Sequence, residues 1–182
     1  MVTDSGTRVS TIMRIIHDLS LRQGWSKANP LSDYRQLLQA LIDRFGLPRN
    51  YLAKDAVKDK IKHGFIIQHD VDINIVSAIK MAELESEMGI KATYYILHNS
   101  LYYCFWSGTR AFRHNAMASM YRYIQDLGHE IGIHIDPLDI IQARNMDGLQ
   151  AMETELQWMR DNGLNVVSMM SHNSWRAYGG NN

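Results

Sequence analysis

Cysteine is almost absent. Cys104 is the single thiol in 182 residues, so the chain can build neither a disulfide framework nor a cysteine-based zinc knuckle. Excess charge is absent too: nineteen Lys and Arg offset nineteen Asp and Glu. No surplus of positive charge is available to displace counterions from nucleic acid or to settle on anionic lipid. No apolar run approaches the roughly 20 residues that span a bilayer. Residues 1–10 are polar and lack the basic start and apolar stretch of a secretion signal. These absences predict a cytoplasmic protein with no nucleic acid partner and no membrane insertion, and they leave oligomerisation open. What is present is a globular balance, 46% apolar and 21% charged, at a length that suits one domain with a short appendage.

Residues 1–62 read as an N-terminal helical segment. Ile12, Ile15, Ile16 and Leu19 mark a short amphipathic stretch. Ser32 or Asp33 can cap a second one, in which Leu37, Leu38, Leu41, Ile42 and Phe45 recur at helical spacing until Gly46 and Pro48 stop it. The charged run 54–62 is expected to be a solvated connector.

Over residues 63–182 the pattern changes. Short apolar runs at 65–67, 92–97, 130–135 and 166–170 read as strands. Helical patterns lie between them: one capped by Asn74 and stopped by Gly89, one from about Asn115 to Gly128, and one with Leu149, Met152, Leu156 and Met159 ending at Gly163. This β-α-β-α-β-α-β order predicts an α/β fold of parallel β/α units with right-handed crossovers. Parallel strands bring their C-terminal ends to one rim, where the sites of α/β proteins gather. Four units are too few for a closed barrel, which needs about 200 residues or more. The expectation is therefore an incomplete barrel.

The predicted rim is where the polar residues concentrate. His69, His98, His134 and His172 each close a strand, joined by Asp70, Asp72 and Asp136. In an extended segment residues i and i+2 share a face, so Asp70 and Asp72 can reach one small volume. Two such carboxylates repel unless a cation lies between them or one accepts a proton. One Asp with two His forms an oxygen–nitrogen–nitrogen set that suits Zn²⁺ and other divalent first-row ions, with positions left open for water and substrate. Asp72, His134 and His172 are the candidate ligands.

The stretch 65–96, FIIQHDVDINIVSAIKMAELESEMGIKATYYI, resembles the polysaccharide deacetylase (NodB homology, carbohydrate esterase family four-like) superfamily. Its nearest likeness is to deacetylase-like proteins of surface-polysaccharide and O-antigen biosynthesis. The likeness continues through GHEIGIH at 128–134 and SHNSW at 171–175. It implies a distorted (β/α)7-type barrel and a metal-dependent hydrolase that removes N-acetyl groups from a carbohydrate substrate, zinc being the expected ion.

In that family two adjacent aspartates act as general base and metal ligand. Here Val71 separates them. Asp70 is carried over as base and Asp72 as ligand, the exchanged roles remaining open. The family's second motif supplies two histidines four residues apart, but this chain has Leu138 after His134. His172 then offers the missing nitrogen, with Asp136 orienting His134 or reaching the metal through water. His69, His98, Asp136 and Trp175 are expected around the ligands or against substrate, and the family's general acid is expected beyond Asn182.

Two other functions compete. Asp70-x-Asp72 also fits a haloacid-dehalogenase-like phosphatase, or more weakly a metal-dependent glycosyltransferase. A degenerate, non-catalytic glycan-binding protein is the third reading. Tyr94, Tyr95, Tyr102, Tyr103, Phe105 and Trp106 serve as a sugar platform or as packing. The methionines at 117, 120, 152 and 159 are expected in the core, Cys104 is expected to be a small buried residue, and His129 is expected to be structural.

Overall fold

The computed structural model describes residues 30–107 and 110–173. The predicted stretch with Ile12, Ile15, Ile16 and Leu19 lies outside them, as does Trp175. The chain divides into two units, with the division between Gly46 and Leu47. The first contributes one described helix, α1 (Pro30–Phe45). Pro30 opens it at a position where a missing N–H removes no helical bond, so Ser32 and Asp33 sit inside the first turn instead of capping it. Gly46 closes it at φ 81°, its N–H returning to the Ile42 carbonyl at 2.7 Å.

The second unit is mixed α/β. After a 3-10 turn (Leu47–Arg49) come β1 (Asn50–Tyr51) and α2 (Ala53–Lys58), followed by β2 (Phe65–Ile66), which pairs in parallel with β1. The charged run at 54–62 is therefore not simply a connector. Buried polar atoms hold the start of α2: the Ala53 N–H donates to Thr93 Oγ1 at 3.1 Å and the Lys54 N–H to Glu130 Oε2 at 3.3 Å. These are N–H groups that a helix cannot satisfy internally.

The chain then runs through β3 (Gln68–Val71), α3 (Ile75–Glu87) and β4 (Thr93–Leu97). An antiparallel hairpin of β5 (Cys104–Ser107) and β6 (Arg110–Arg113) follows, then α4 (Met117–Asp126) and β7 (Glu130–Ile135). A π-helical turn (Asp139–Ala143), α5 (Gly148–Asp161) and β8 (Met169–Ser171) come next. The first predicted strand is split because the chain changes partners at Ile67: it leaves β1, and the Ile67 carbonyl takes the Thr93 N–H at 2.9 Å. The last is shorter than predicted because Leu164 and Val166 turn into the core before the ladder begins.

β3, β4, β7 and β8 form one parallel sheet in that order. Its register puts Gln68, Asp70, Tyr95, Gly132, His134 and Met170 on one face, and His69, Val71, Tyr94, Ile96, Ile131 and Ile133 on the other. The second face carries the core, where Ala82, Tyr121, Ile124 and Met159 from the three helices pack on Val71, Ile96 and Ile133. Burying each larger apolar side chain stabilises the fold by about 1.5–3 kcal/mol. All three helices share this face because strands laid in chain order by right-handed crossovers wind one way, without the switch point of a doubly wound sheet.

That is the winding of a barrel, but no closed barrel forms among the described residues. Among the described residues β3 and β8 are the edge strands. On the open face, the Glu130 carboxylate accepts from Thr93 Oγ1 at 3.2 Å, from the Lys54 amide and from the Ser168 hydroxyl. Tyr95 lies across β7 at Gly132, where an added Cβ would stand 2.6 Å from two of its ring carbons. No helix among the described residues is long and apolar enough to cross a membrane.

Candidate metal centre

Asp72 is the first residue after β3, His134 lies near the end of β7, and His172 directly follows β8. Their donor atoms converge on the open face. His134 Nε2 stands 3.6 Å from Asp72 Oδ1 and 3.1 Å from His172 Nδ1, and the latter is 3.9 Å from Asp72 Oδ1. A triangle with sides of 3.6, 3.1 and 3.9 Å has a circumradius of about 2.1 Å, inside the roughly 2.0–2.2 Å range of zinc–nitrogen and zinc–oxygen bonds. The three residues could hold one metal ion.

This convergence requires curvature. Three inter-strand steps of roughly 4.8 Å would separate β3 from β8 by about 14 Å in a flat sheet. Side chains following those two edge strands nevertheless approach to 3.9 Å. The sheet is concave on this face.

Hydrogen bonding fixes what His134 presents. His134 Nδ1 lies 3.1 Å from the Met170 carbonyl oxygen. A carbonyl only accepts, so Nδ1 carries a proton, and the remaining ring nitrogen, Nε2, is the one turned toward Asp72 and His172. Either a proton on His172 Nδ1 or a cation between the rings satisfies the 3.1 Å contact. Asp72 Oδ1 favours the cation. It is buried without a hydrogen-bond partner, both imidazole nitrogens lying beyond hydrogen-bond reach. Leaving such an acceptor unpaired costs about 1–3 kcal/mol, which an ion among the three donors would offset. Asp70, half-exposed on the same face, places Oδ2 3.9 Å from His134 Nε2, next to the cluster and open to solvent.

Three supporting contacts have no signature in the sequence, because each joins backbone to residues far along the chain. The Met170 carbonyl orients His134. The Ser100 hydroxyl donates to the Asp72 carbonyl at 2.6 Å, and the Tyr102 hydroxyl donates to the Val71 carbonyl at 2.7 Å. Burial raises the Tyr102 pKa, with the Asp72 charge adding to it, so the phenol remains a donor. His172 is seated by its own N–H, which donates to the Ile135 carbonyl at 2.6 Å.

The other expected site residues are engaged elsewhere. His69 lies within β3 and its side chain is on the helix-covered face, with Nε2 2.6 Å from Glu85 Oε1 and its ring 4.6 Å from that of Tyr94. Strand alternation sends it away from Asp70 and Asp72. His98 is buried, and its Nε2 accepts the Asp136 N–H at 2.9 Å. Burial lowers its pKa to about 4, so it is a neutral acceptor and not a proton donor. Asp136 does not orient His134. Its Oδ1 accepts the Asp139 N–H at 3.0 Å and so starts the π-helical turn. His129 is structural as expected, its ring bridging the Ala92 N–H and the Ala82 carbonyl. Tyr94, Tyr95, Tyr103 and Cys104 are buried, whereas Phe105 is exposed and stacks on Phe112 at 5.0 Å.

No protein-family model, no curated protein and no solved structure matches the chain. The resemblance to deacetylases therefore rests on the three motifs themselves.

Proposed function

We propose that this chain is a cytoplasmic, divalent-metal-dependent hydrolase that removes N-acetyl groups from a carbohydrate, in the service of surface-polysaccharide synthesis. The observation that carries the metal-hydrolase reading is the meeting of Asp72, His134 and His172 at bonding distance around one point, beside the Asp70 carboxylate. The carbohydrate amide as substrate is supported by the motif resemblance.

Two imidazoles and one carboxylate suit zinc among the common divalent ions. A bound ion would supply Lewis acidity, polarising a carbonyl and bringing the pKa of water toward about 7 in the zinc case. The protein's own groups then handle the proton. Asp70 accepts it from the attacking water, being half-exposed beside the cluster. Among the described residues the same carboxyl is the group placed to return it to the leaving amine, since His69 and His98 are committed to Glu85 and to the Asp136 amide. The Met170 carbonyl keeps His134 in the tautomer with a free Nε2.

The test is to strip the protein with chelator, titrate zinc, and assay acetate release from N-acetylated oligosaccharides and sugar nucleotides. One ion per chain with metal-dependent acetate release is expected. Failure to take up any divalent ion would refute the reading. Uptake without acetate release would instead favour a non-catalytic glycan-binding protein. The observation behind that second reading is that, among the described residues, no expected histidine other than the two ligands faces the cluster.

A further inference from the structure

Asp72, His134 and His172 come from the ends of β3, β7 and β8. The strand between the first two, β4, contributes no donor. Its following loop nevertheless touches both neighbours at the level of the cluster. On one side, the Ser100 and Tyr102 hydroxyls donate to two consecutive carbonyls, those of Asp72 at 2.6 Å and Val71 at 2.7 Å. On the other side, the His98 ring accepts the Asp136 amide at 2.9 Å, two residues past His134. The loop is itself braced: the Tyr103 and Cys104 amides both return to the Ser100 carbonyl at 3.0 Å, and Cys104 Sγ lies 3.3 Å from the His98 carbonyl. Ser100 and His98 are buried, so these bonds form where water offers little competition.

We infer that the loop from His98 to Tyr102 is a positioning device for the metal centre, setting the distance between the Asp72 carboxylate and the His134 imidazole through Ser100 and Tyr102. The inference rests on the metal reading above and extends it to residues that touch neither metal nor substrate. Its physical basis is that Asp72 lies just outside β3, past the last ladder pair. Two side-chain hydroxyls from the β4 loop supply backbone bonds at that point. Releasing them would let the carboxylate drift from a triangle already at bonding size, and groups that orient ligands typically change metal affinity by about 10–100-fold when removed.

The experiment compares zinc affinity, by competition with a chromophoric chelator, for wild type, Tyr102→Phe, Ser100→Ala and Ser100→Thr, together with the thermal midpoint of each metal-free protein. Tyr102→Phe removes one oxygen and keeps the ring, so the fold persists. The expected result is a fall in affinity of about 10-fold or more for Tyr102→Phe and Ser100→Ala, with recovery in Ser100→Thr, which keeps a hydroxyl. Cobalt loaded into the two weakened variants should show an altered absorption spectrum, which loss of stability alone would not produce. Affinities within twofold of wild type, or a lowered thermal midpoint with unchanged affinity and spectrum, would overturn the inference while leaving the metal centre standing. A wild-type protein that binds no ion removes both.

Discussion

Two clusters of histidine and carboxylate occupy opposite faces of the same four strands, and they differ in what they lack. On the helix-covered face, Glu85 is enclosed by His69 at 2.6 Å, by the Tyr94 hydroxyl at 2.6 Å and by His129 at 3.6 Å. On the open face, Asp72 faces two imidazoles at 3.6 and 3.9 Å with one carboxylate oxygen unpartnered. The first cluster is complete as protein alone. The second leaves one acceptor open and could hold an ion. Residue types alone do not distinguish the two clusters, whereas the distances do.

The sharpest way to break this comparison is His134→Ala. It is expected to abolish stoichiometric zinc uptake, measured by equilibrium dialysis, while Glu85→Ala leaves uptake intact. Glu85→Ala should instead lower stability in urea unfolding by about 3–5 kcal/mol, since it strips a buried charge from its partners. If the two substitutions exchanged these effects, the assignment of the clusters would be reversed.

Gly132→Ala tests the ground on which the open face stands. The new Cβ would meet the Tyr95 ring at 2.6 Å and Ser168 Oγ at 2.8 Å, and overpacking of this kind costs about 1–3 kcal/mol in chemical denaturation.

Asp72→Ala is expected to act in the opposite direction on the metal-free protein, raising its stability by about 1 kcal/mol, because it removes an unsatisfied acceptor. A loss comparable to that of Glu85→Ala would show the open-face cluster to be structural after all.

The last effect concerns pH and is read as a slope. Burial lowers the His129 pKa from its ordinary 6.5, and the bond from the Ala92 amide to Nδ1 leaves no room for a proton there. As pH falls below about 6.5 the unfolded chain binds a proton that the native chain refuses. The stability contributed by neutral His129 is therefore full above that pH and declines below it, by at most about 1.4 kcal/mol per unit. His129→Gln should flatten the slope of unfolding free energy between pH 7 and pH 5.

Much of the framework was legible because it depends on local pattern. The run at 130–135 became β7 over the same residues, and Asn74 caps α3 as its position suggests, accepting from the Val76 and Ser77 amides. Asp72, His134 and His172 were readable as one set because parallel strands bring their ends to a common rim. Legibility failed where a residue's direction mattered. His69 looks like a rim histidine, yet one step of strand alternation turns it into the core side of the sheet. His98 looks like a proton donor, yet burial makes it an acceptor for a neighbouring strand. The hairpin at Cys104–Ser107 and Arg110–Arg113 was hidden because its aromatics read equally well as loop packing. Ser100 and Tyr102 carry no local signal, since their partners lie 28 and 31 residues away.

The position of Asp72 and His172 beyond the two outermost strands has a mechanical consequence. An ion coordinated by both would act as a clasp, joining the margins of the sheet across its hollow side. Its removal should let β8, secured to β7 by only a short ladder, splay outward. Amide exchange in that strand would then quicken before the interior of the protein registers any change.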